Sequence, residues 1–304
     1  MSTNLIGVKI IQRFNNGMLS STFKSEFKFE KFFINIQQAG YRQTVIFHDD
    51  NNVEEIFNLF NSIDRYMQIF DGKFVPIISI ETINEKEQVV SGFEEKIKSF
   101  LETRLSYFSS QDIYKGVHSK LCEPISYLDE KMLNSWLQLQ DELDLIHQSF
   151  LYFTCDNHMP IDIRLAHIIE NFEPLSEYLS MKDNFYILVE DNGKTILKTH
   201  IDAIICKYGN LIFNLEYMKN KNQFLQLLVN SRNRIMHTKR KFNKIYIKGP
   251  VNLMYCGKFS LLYRTILLNL LGIKEVDYLP NLQKDLDFYN THLNLINAFI
   301  KTNL

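Results

Sequence analysis

The chain has 304 residues, 45% of them hydrophobic and 23% charged, with 11 Gly and 6 Pro. It is long enough for about two globular domains with real cores, and wholesale disorder, collagen-like repeats and low-complexity architectures are excluded. The formal net charge of −1 speaks, at face value, against a polyanionic partner. The four cysteines, Cys122, Cys155, Cys206 and Cys256, lie far apart without a CxxC pair, so neither a zinc site nor a disulfide framework is suggested. Met1 to Ser20 holds no apolar run of signal-peptide kind. The longest apolar stretch, Phe259 to Ile273, is cut by Arg264 and Asn269 and is too short for a bilayer. A mature start at or near Met1, a cytoplasmic address and no membrane association are expected.

The first third mixes strand and helix signals. Ile6 to Ile11, Thr44 to Phe47 and Phe74 to Ile80 are short, β-branched and bounded by turn formers, and read as strands. Val53, Ile56, Phe57, Phe60, Ile63 and Met67 recur at helical spacing behind Asn51-Asn52, and Asp71-Gly72 ends that run. A small α/β or α+β unit over residues 1–115 is predicted, ending in the polar stretch Ser109 to Ser119.

From Leu121 the period becomes helical. Met132, Trp136, Leu139, Leu143, Ile146 and Phe150 form one apolar stripe over Asp129 to Tyr152. Further helices are predicted over Ile161 to Leu179, which Pro174 should kink or split, and over Thr199 to Leu215 and Asn222 to His237. Phe259 to Leu271, apolar nearly all round and stopped by Gly272, should be the central buried helix, and Gln283 to Lys301 closes the chain. The fold class is therefore α+β, an N-terminal mixed unit followed by an all-α bundle over residues 121–304. A hairpin around Asp191-Asn192-Gly193 interrupts the bundle.

The near-zero charge is a cancellation. No Asp or Glu occurs between Glu216 and Glu275, while that interval holds twelve basic residues, leaving 22 basic against 35 acidic residues elsewhere. A positive segment beside an acidic body is the footprint expected for a nucleic-acid partner; the plain alternative is a solvated basic face paired with acidic helices.

At the heart of the segment is Ser231-Arg232-Asn233-Arg234-Ile235-Met236-His237. On a helix, Phe224, Leu228 and Ile235 fall on one side, and Gln226, Asn230, Asn233 and His237 form a polar seam on the other. These residue types suit phosphodiester cleavage. An imidazole can move a proton near neutral pH, and a guanidinium holds phosphate and stabilises charge that develops in the transition state. Asn233 could fix the histidine tautomer or the arginine rotamer. The set needs no metal and no cofactor, and no convincing carboxylate cluster is visible nearby. With no metal to activate water, the ribose 2′-hydroxyl becomes the attacking group, so RNA is the expected partner. Arg234, Lys239, Arg240, Lys241 and Lys244 are the expected RNA contacts.

Arg232-Asn233 followed by His237, at the end of an amphipathic helix and before an apolar helix ending Leu270-Leu271-Gly272-Ile273, resembles the HEPN superfamily. Asp162-Ile163-Arg164-Leu165 and Glu173 before Leu175 look like the matching earlier helix of ApeA-like HEPN proteins, a prokaryotic anti-phage group. The resemblance covers Leu121 to Leu304. It implies a helical bundle that homodimerises so that two motifs face each other in a metal-independent ribonuclease site. Arg232 and His237 would be catalytic and Asn233 supporting, in a toxin-like defence or abortive-infection role that a phage-derived trigger or regulatory protein sets off. The ApeA-like proteins carry a longer N-terminal region than the stretch before Leu121, which leaves the role of that stretch, sensing or substrate positioning, open. The alternative is a non-catalytic RNA-binding or regulatory HEPN module.

Other candidates read as structural. His48-Asp49-Asp50 is expected to be a polar turn, His167 with Glu170 a surface contact, and His147 and His200 structural members of amphipathic helices. Phe27, Phe29, Phe32 and Phe33 among Lys24, Lys28 and Lys31 could stack bases but read better as core and edge residues.

Overall fold

The computed structural model describes residues 6–13, 19–40, 42–49, 53–84, 86, 88–108, 120–155, 159–182, 185, 187, 196–237, 243–292 and 295–304. The chain divides into two compact units, one gathering the N-terminal residues with Lys120–Leu139, the other running from Gln140 to Leu304.

The first unit is a five-stranded sheet of β1 (Ile6–Arg13), β2 (Leu19–Phe29), β3 (Phe32–Gly40), β4 (Arg42–Asp49) and β5 (Ile77–Ile83), in the order β2-β3-β4-β1-β5. Every pairing is antiparallel, which decides for α+β over a parallel α/β unit. β5 opens after Pro76, which has no N–H to give to a ladder. Inward Val8, Ile10, Ile34, Ile36, Val45 and Phe47 are buried, as are Ile56, Phe57, Phe60, Ile63 and Met67 of α1 (Val53–Asp71). Phe47 meets Phe60 edge-on at 6.4 Å. Phe29 and Phe32 are buried core residues at the β2–β3 turn, Phe27 is half-buried and Phe33 is exposed, so the aromatic and basic interleaving there mixes core and edge positions. Phe100 of α2 (Glu94–Phe108) stacks on Phe57.

α3 (Glu130–Cys155) is two helical segments meeting at Asp144, and its apolar stripe serves two cores. Trp136, with its indole N–H on the Ser62 carbonyl at 2.7 Å, belongs to the sheet unit, whereas Phe150 stacks flat on Tyr263 in the helical unit. The predicted Ile161–Leu179 helix is split into α4 (Ile161–Glu170) and α5 (Phe172–Lys182). The break falls at Asn171, whose side chain donates to the Ile146 carbonyl at 2.9 Å, and Pro174 sits in the first turn of α5, where a missing N–H costs nothing.

α6 (Leu197–Ile204) runs into a π turn at Ile205–Gly209, and α7 (Asn214–Met236) breaks at Asn220. α8 (Pro250–Leu270) is the buried centre, ended by Gly272 at φ 76°; it starts nine residues before the predicted helix. The closing segment is α9 (Glu275–Asp287), a π turn at Phe288–His292 and α10 (Leu295–Asn303), not one helix. Most of the predicted hairpin around Asp191 to Gly193 lies outside the described residues. Among the described residues no helix is long and apolar enough to cross a membrane.

α8 reaches Tyr289 through Gly257. A Cβ there would stand 2.2 Å from the Tyr289 hydroxyl and 2.5 Å from Cζ, and the ring is fully buried. Gly257→Ala is expected to destabilise the helical unit by about 1–3 kcal/mol through overpacking, measured by chemical unfolding. A cost within about 0.5 kcal/mol would show that the ring can move aside.

Candidate active site

The second part of α7 starts afresh at Asn220, whose Oδ1 accepts from the Gln223 N–H at 3.1 Å as a side-chain cap. From there Phe224, Leu225, Leu227 and Leu228 are buried in the bundle. The polar seam opposite them serves two purposes. Gln226 donates to Asn230 at 3.0 Å, Asn230 donates to the Ile245 carbonyl at 2.8 Å, and Ser231 Oγ accepts from the Ile247 N–H at 3.0 Å. Its first half therefore pins the returning segment 243–249, and only the last turn is left for a ligand.

In that last turn Arg232, Asn233 and His237 converge. Arg232 Nη1 donates to Asn233 Oδ1 at 2.8 Å and lies 3.0 Å from His237 Nε2. A guanidinium only donates, so Nε2 is the accepting nitrogen and the neutral ring carries its proton on Nδ1. The other edge of the guanidinium grips Glu170, the last residue of α4. Nη2 donates to Oε1 at 2.6 Å and Nε donates to Oε2. This two-pronged bond raises the Arg232 pKa above its ordinary value, against a smaller lowering by burial. Four of the five guanidinium N–H groups are thus engaged, two on Glu170, one on Asn233 and one on His237. Arg232 is 19% exposed and His237 is exposed, so the cluster opens to solvent on the imidazole side.

Glu170 escaped the sequence reading, which paired it with His167 as a surface contact and saw no carboxylate near the motif. His167 instead stacks on Phe153 at 4.6 Å, and burial lowers its pKa, partly offset by Glu170. The available hint was charge complementarity: Asp162 and Glu170 lie about 80° apart around α4 and face two different arginines. Arg234 Nη1 is 3.8 Å from Asp162 Oδ2, while Asn252 at the start of α8 donates to Asp162 Oδ1 at 2.5 Å. The Arg234 guanidinium also lies 4.1 Å from the Tyr246 ring centroid, and Lys248 Nζ lies 4.8 Å from the same centroid.

The basic segment is not one positive face. Lys258 and Arg264 are buried, and Lys221, Arg232 and Arg234 meet Asp202, Glu170 and Asp162. Lys219, Lys244, Lys248 and Lys274 are exposed, whereas Lys239, Arg240 and Lys241 lie outside the described residues. The plain alternative, basic residues paired with acidic helices, accounts for a large part of the count. The predicted contacts Arg234 and Lys244 are separated in environment, the first paired and the second solvent-facing.

Thiol chemistry has little support among the described cysteines. Burial pushes the Cys256 thiol up to about 12, and Cys206 is also raised, by burial first and by Asp202 second. His48 and Asp49 lie in β4, paired with β1, and not in the expected polar turn. The His48 ring is 6.3 Å from the Phe33 ring centroid, and among the described residues it joins no cluster of metal-ligating side chains, while Asp50 is outside the described residues.

Comparison with protein-family models, curated proteins and solved structures yields no match. The functional reading therefore rests on the residues and their geometry.

Proposed function

We propose that the helical unit is a metal-independent endoribonuclease of HEPN type. The observation that carries this reading is the convergence, at one helix end, of a guanidinium with an amide oxygen at 2.8 Å and with the ring nitrogen of an exposed imidazole at 3.0 Å. In the proposed reaction the ribose 2′-oxygen attacks phosphorus and the bond to the 5′-oxygen breaks, leaving a 2′,3′-cyclic phosphate and a 5′-hydroxyl. His237 takes the 2′-proton or protonates the leaving oxygen, and a homodimer supplies a second imidazole for the other transfer. Arg232 stabilises the added charge on phosphorus-bound oxygen. A phosphate that draws Arg232 Nη1 away from His237 would also free the Nε2 lone pair, coupling substrate binding to release of the base. Arg234, Lys239, Arg240, Lys241 and Lys244 would hold the RNA backbone, with a salt-dependent contribution to affinity. The biological setting proposed is cytoplasmic anti-phage defence, with a phage-derived trigger or regulatory protein acting through the sheet unit.

The test is purified protein with labelled RNA in EDTA. Cleavage that persists there and disappears in His237→Ala supports the proposal; a metal-dependent activity that survives the substitution overturns it. Glu170 is a positioning residue in this scheme. Glu170→Gln removes one charge from the grip on Arg232 and is expected to lower kcat about tenfold to a hundredfold with little change in KM. An unchanged kcat would overturn the positioning role, and a faster one would show that Glu170 instead holds Arg232 back.

A second reading is favoured by one observation, the engagement of four of the five Arg232 donors within the chain. A non-catalytic RNA-binding or regulatory module would show salt-sensitive RNA binding without cleavage, and His237→Ala would leave that binding almost intact.

A further inference from the structure

α5 places Glu173 and Glu177 one turn apart, and α6 brings His200 to them. A carboxylate oxygen from each glutamate and one ring nitrogen of His200 all lie within 4.8 Å of one another. Clustered carboxylates alone mean little, but here the histidine adds an independent observation. His200 is 1% exposed, and its Nδ1 lies 2.5 Å from Ser176 Oγ. Ser176 gives its own proton to the Glu173 carbonyl at 2.8 Å, so its oxygen accepts from Nδ1–H. That fixes the tautomer and leaves an unprotonated Nε2 that is buried and has no hydrogen-bond partner among the described residues. A buried acceptor left unsatisfied is costly and calls for an occupant.

We propose that Glu173, Glu177 and His200 bind one zinc ion per chain. One neutral imidazole with two carboxylates is a donor set suited to Zn²⁺, with water completing four-coordination; a hard cation such as Mg²⁺ would favour oxygen donors throughout. Ser176 is the outer partner that holds a metal-ligating histidine in the correct tautomer. It is fully buried and its proton is committed to a backbone carbonyl, which rules out a Ser-His-Glu nucleophile. Glu177 is exposed and can rotate to close the shell around the ion. The ion ties α5 to α6 without taking a side chain from the Arg232 cluster, although Glu173 also acts on the Arg232 guanidinium through its charge, so it adds a structural clamp beside that cluster.

The full-length chain, stripped with a chelator and dialysed, is titrated with ZnCl2 by calorimetry, with MnCl2 and MgCl2 in parallel. One zinc per chain at micromolar or tighter Kd is expected, with weaker Mn²⁺ and no Mg²⁺ binding. The zinc X-ray absorption edge should report nitrogen and oxygen ligands without sulfur. His200→Gln should abolish binding. Because that residue is buried, the exposed Glu177→Gln serves as the folded control, weakening zinc by about tenfold to a hundredfold, and the buried Ser176→Ala is read only beside an unfolding curve that matches the parent. No zinc binding below millimolar concentration, equal binding in all variants, or sulfur in the edge spectrum overturns the proposal. None of these readouts depends on RNA cleavage, so failure of the zinc site and failure of the ribonuclease reading are separable.

Discussion

Replacing Lys258 with methionine is expected to cost the helical unit about 3–5 kcal/mol, enough to leave a large fraction unfolded in a domain of ordinary stability. Lys258 on α8 and Glu216 on α7 are both fully buried, with Lys258 Nζ 2.6 Å from Glu216 Oε1 and 3.4 Å from Asn290 Oδ1. The ammonium also lies 5.1 Å from the centroid of the Phe213 ring. Burial lowers the lysine pKa and Glu216 opposes that lowering. Removal of the ammonium strands a carboxylate among Phe213 and Tyr255 with no cation to offset its desolvation. The double variant Lys258→Met with Glu216→Leu strands nothing, and should recover most of the lost stability or exceed the parent. Chemical unfolding of both single variants and the double closes the cycle. If Lys258→Met costs less than about 1 kcal/mol, the pair is not the buried ion pair described above.

Replacing His237 with alanine is expected to lower RNA cleavage by about a hundredfold to ten-thousandfold, the range for loss of a general acid or base. Folding should be untouched. The ring is exposed at the end of α7, and its described side-chain bond is the one from Arg232, which keeps Glu170 and Asn233 as partners when the imidazole is gone. RNA affinity should change little, because Arg232 and the exposed lysines remain. Rate at saturating RNA, measured in EDTA beside an unfolding curve, separates chemistry from stability. Cleavage within about threefold of the parent would move the proton transfer to another group.

Much of the fold is legible in periodicity. The alternation through Phe32–Gly40 and the three-to-four spacing through Val53–Asp71 are read within one element, because a strand or helix repeats its environment every two or 3.6 residues. The convergence of Arg232, Asn233 and His237 is likewise local, since about one helical turn separates them and the backbone alone brings them within reach. Less was visible where an element passes from one environment to another. The single apolar stripe of α3 gave no sign that Trp136 and Phe150 sit in different cores. The one predicted closing helix concealed the π turn that seats Tyr289 against Gly257.

By itself the sequence determined the α+β division, the buried character of the helix around Phe259–Leu271 and the proximity of Arg232 to His237. Only the tertiary structure decided what the charges do. Lys258, Arg232 and Lys244 are alike in a charge count, yet one is buried on Glu216, one is gripped by a carboxylate 62 residues away, and one faces water. A charge is a property of the residue, whereas its desolvation and its partner belong to contacts between distant segments, on which local spacing carries no information.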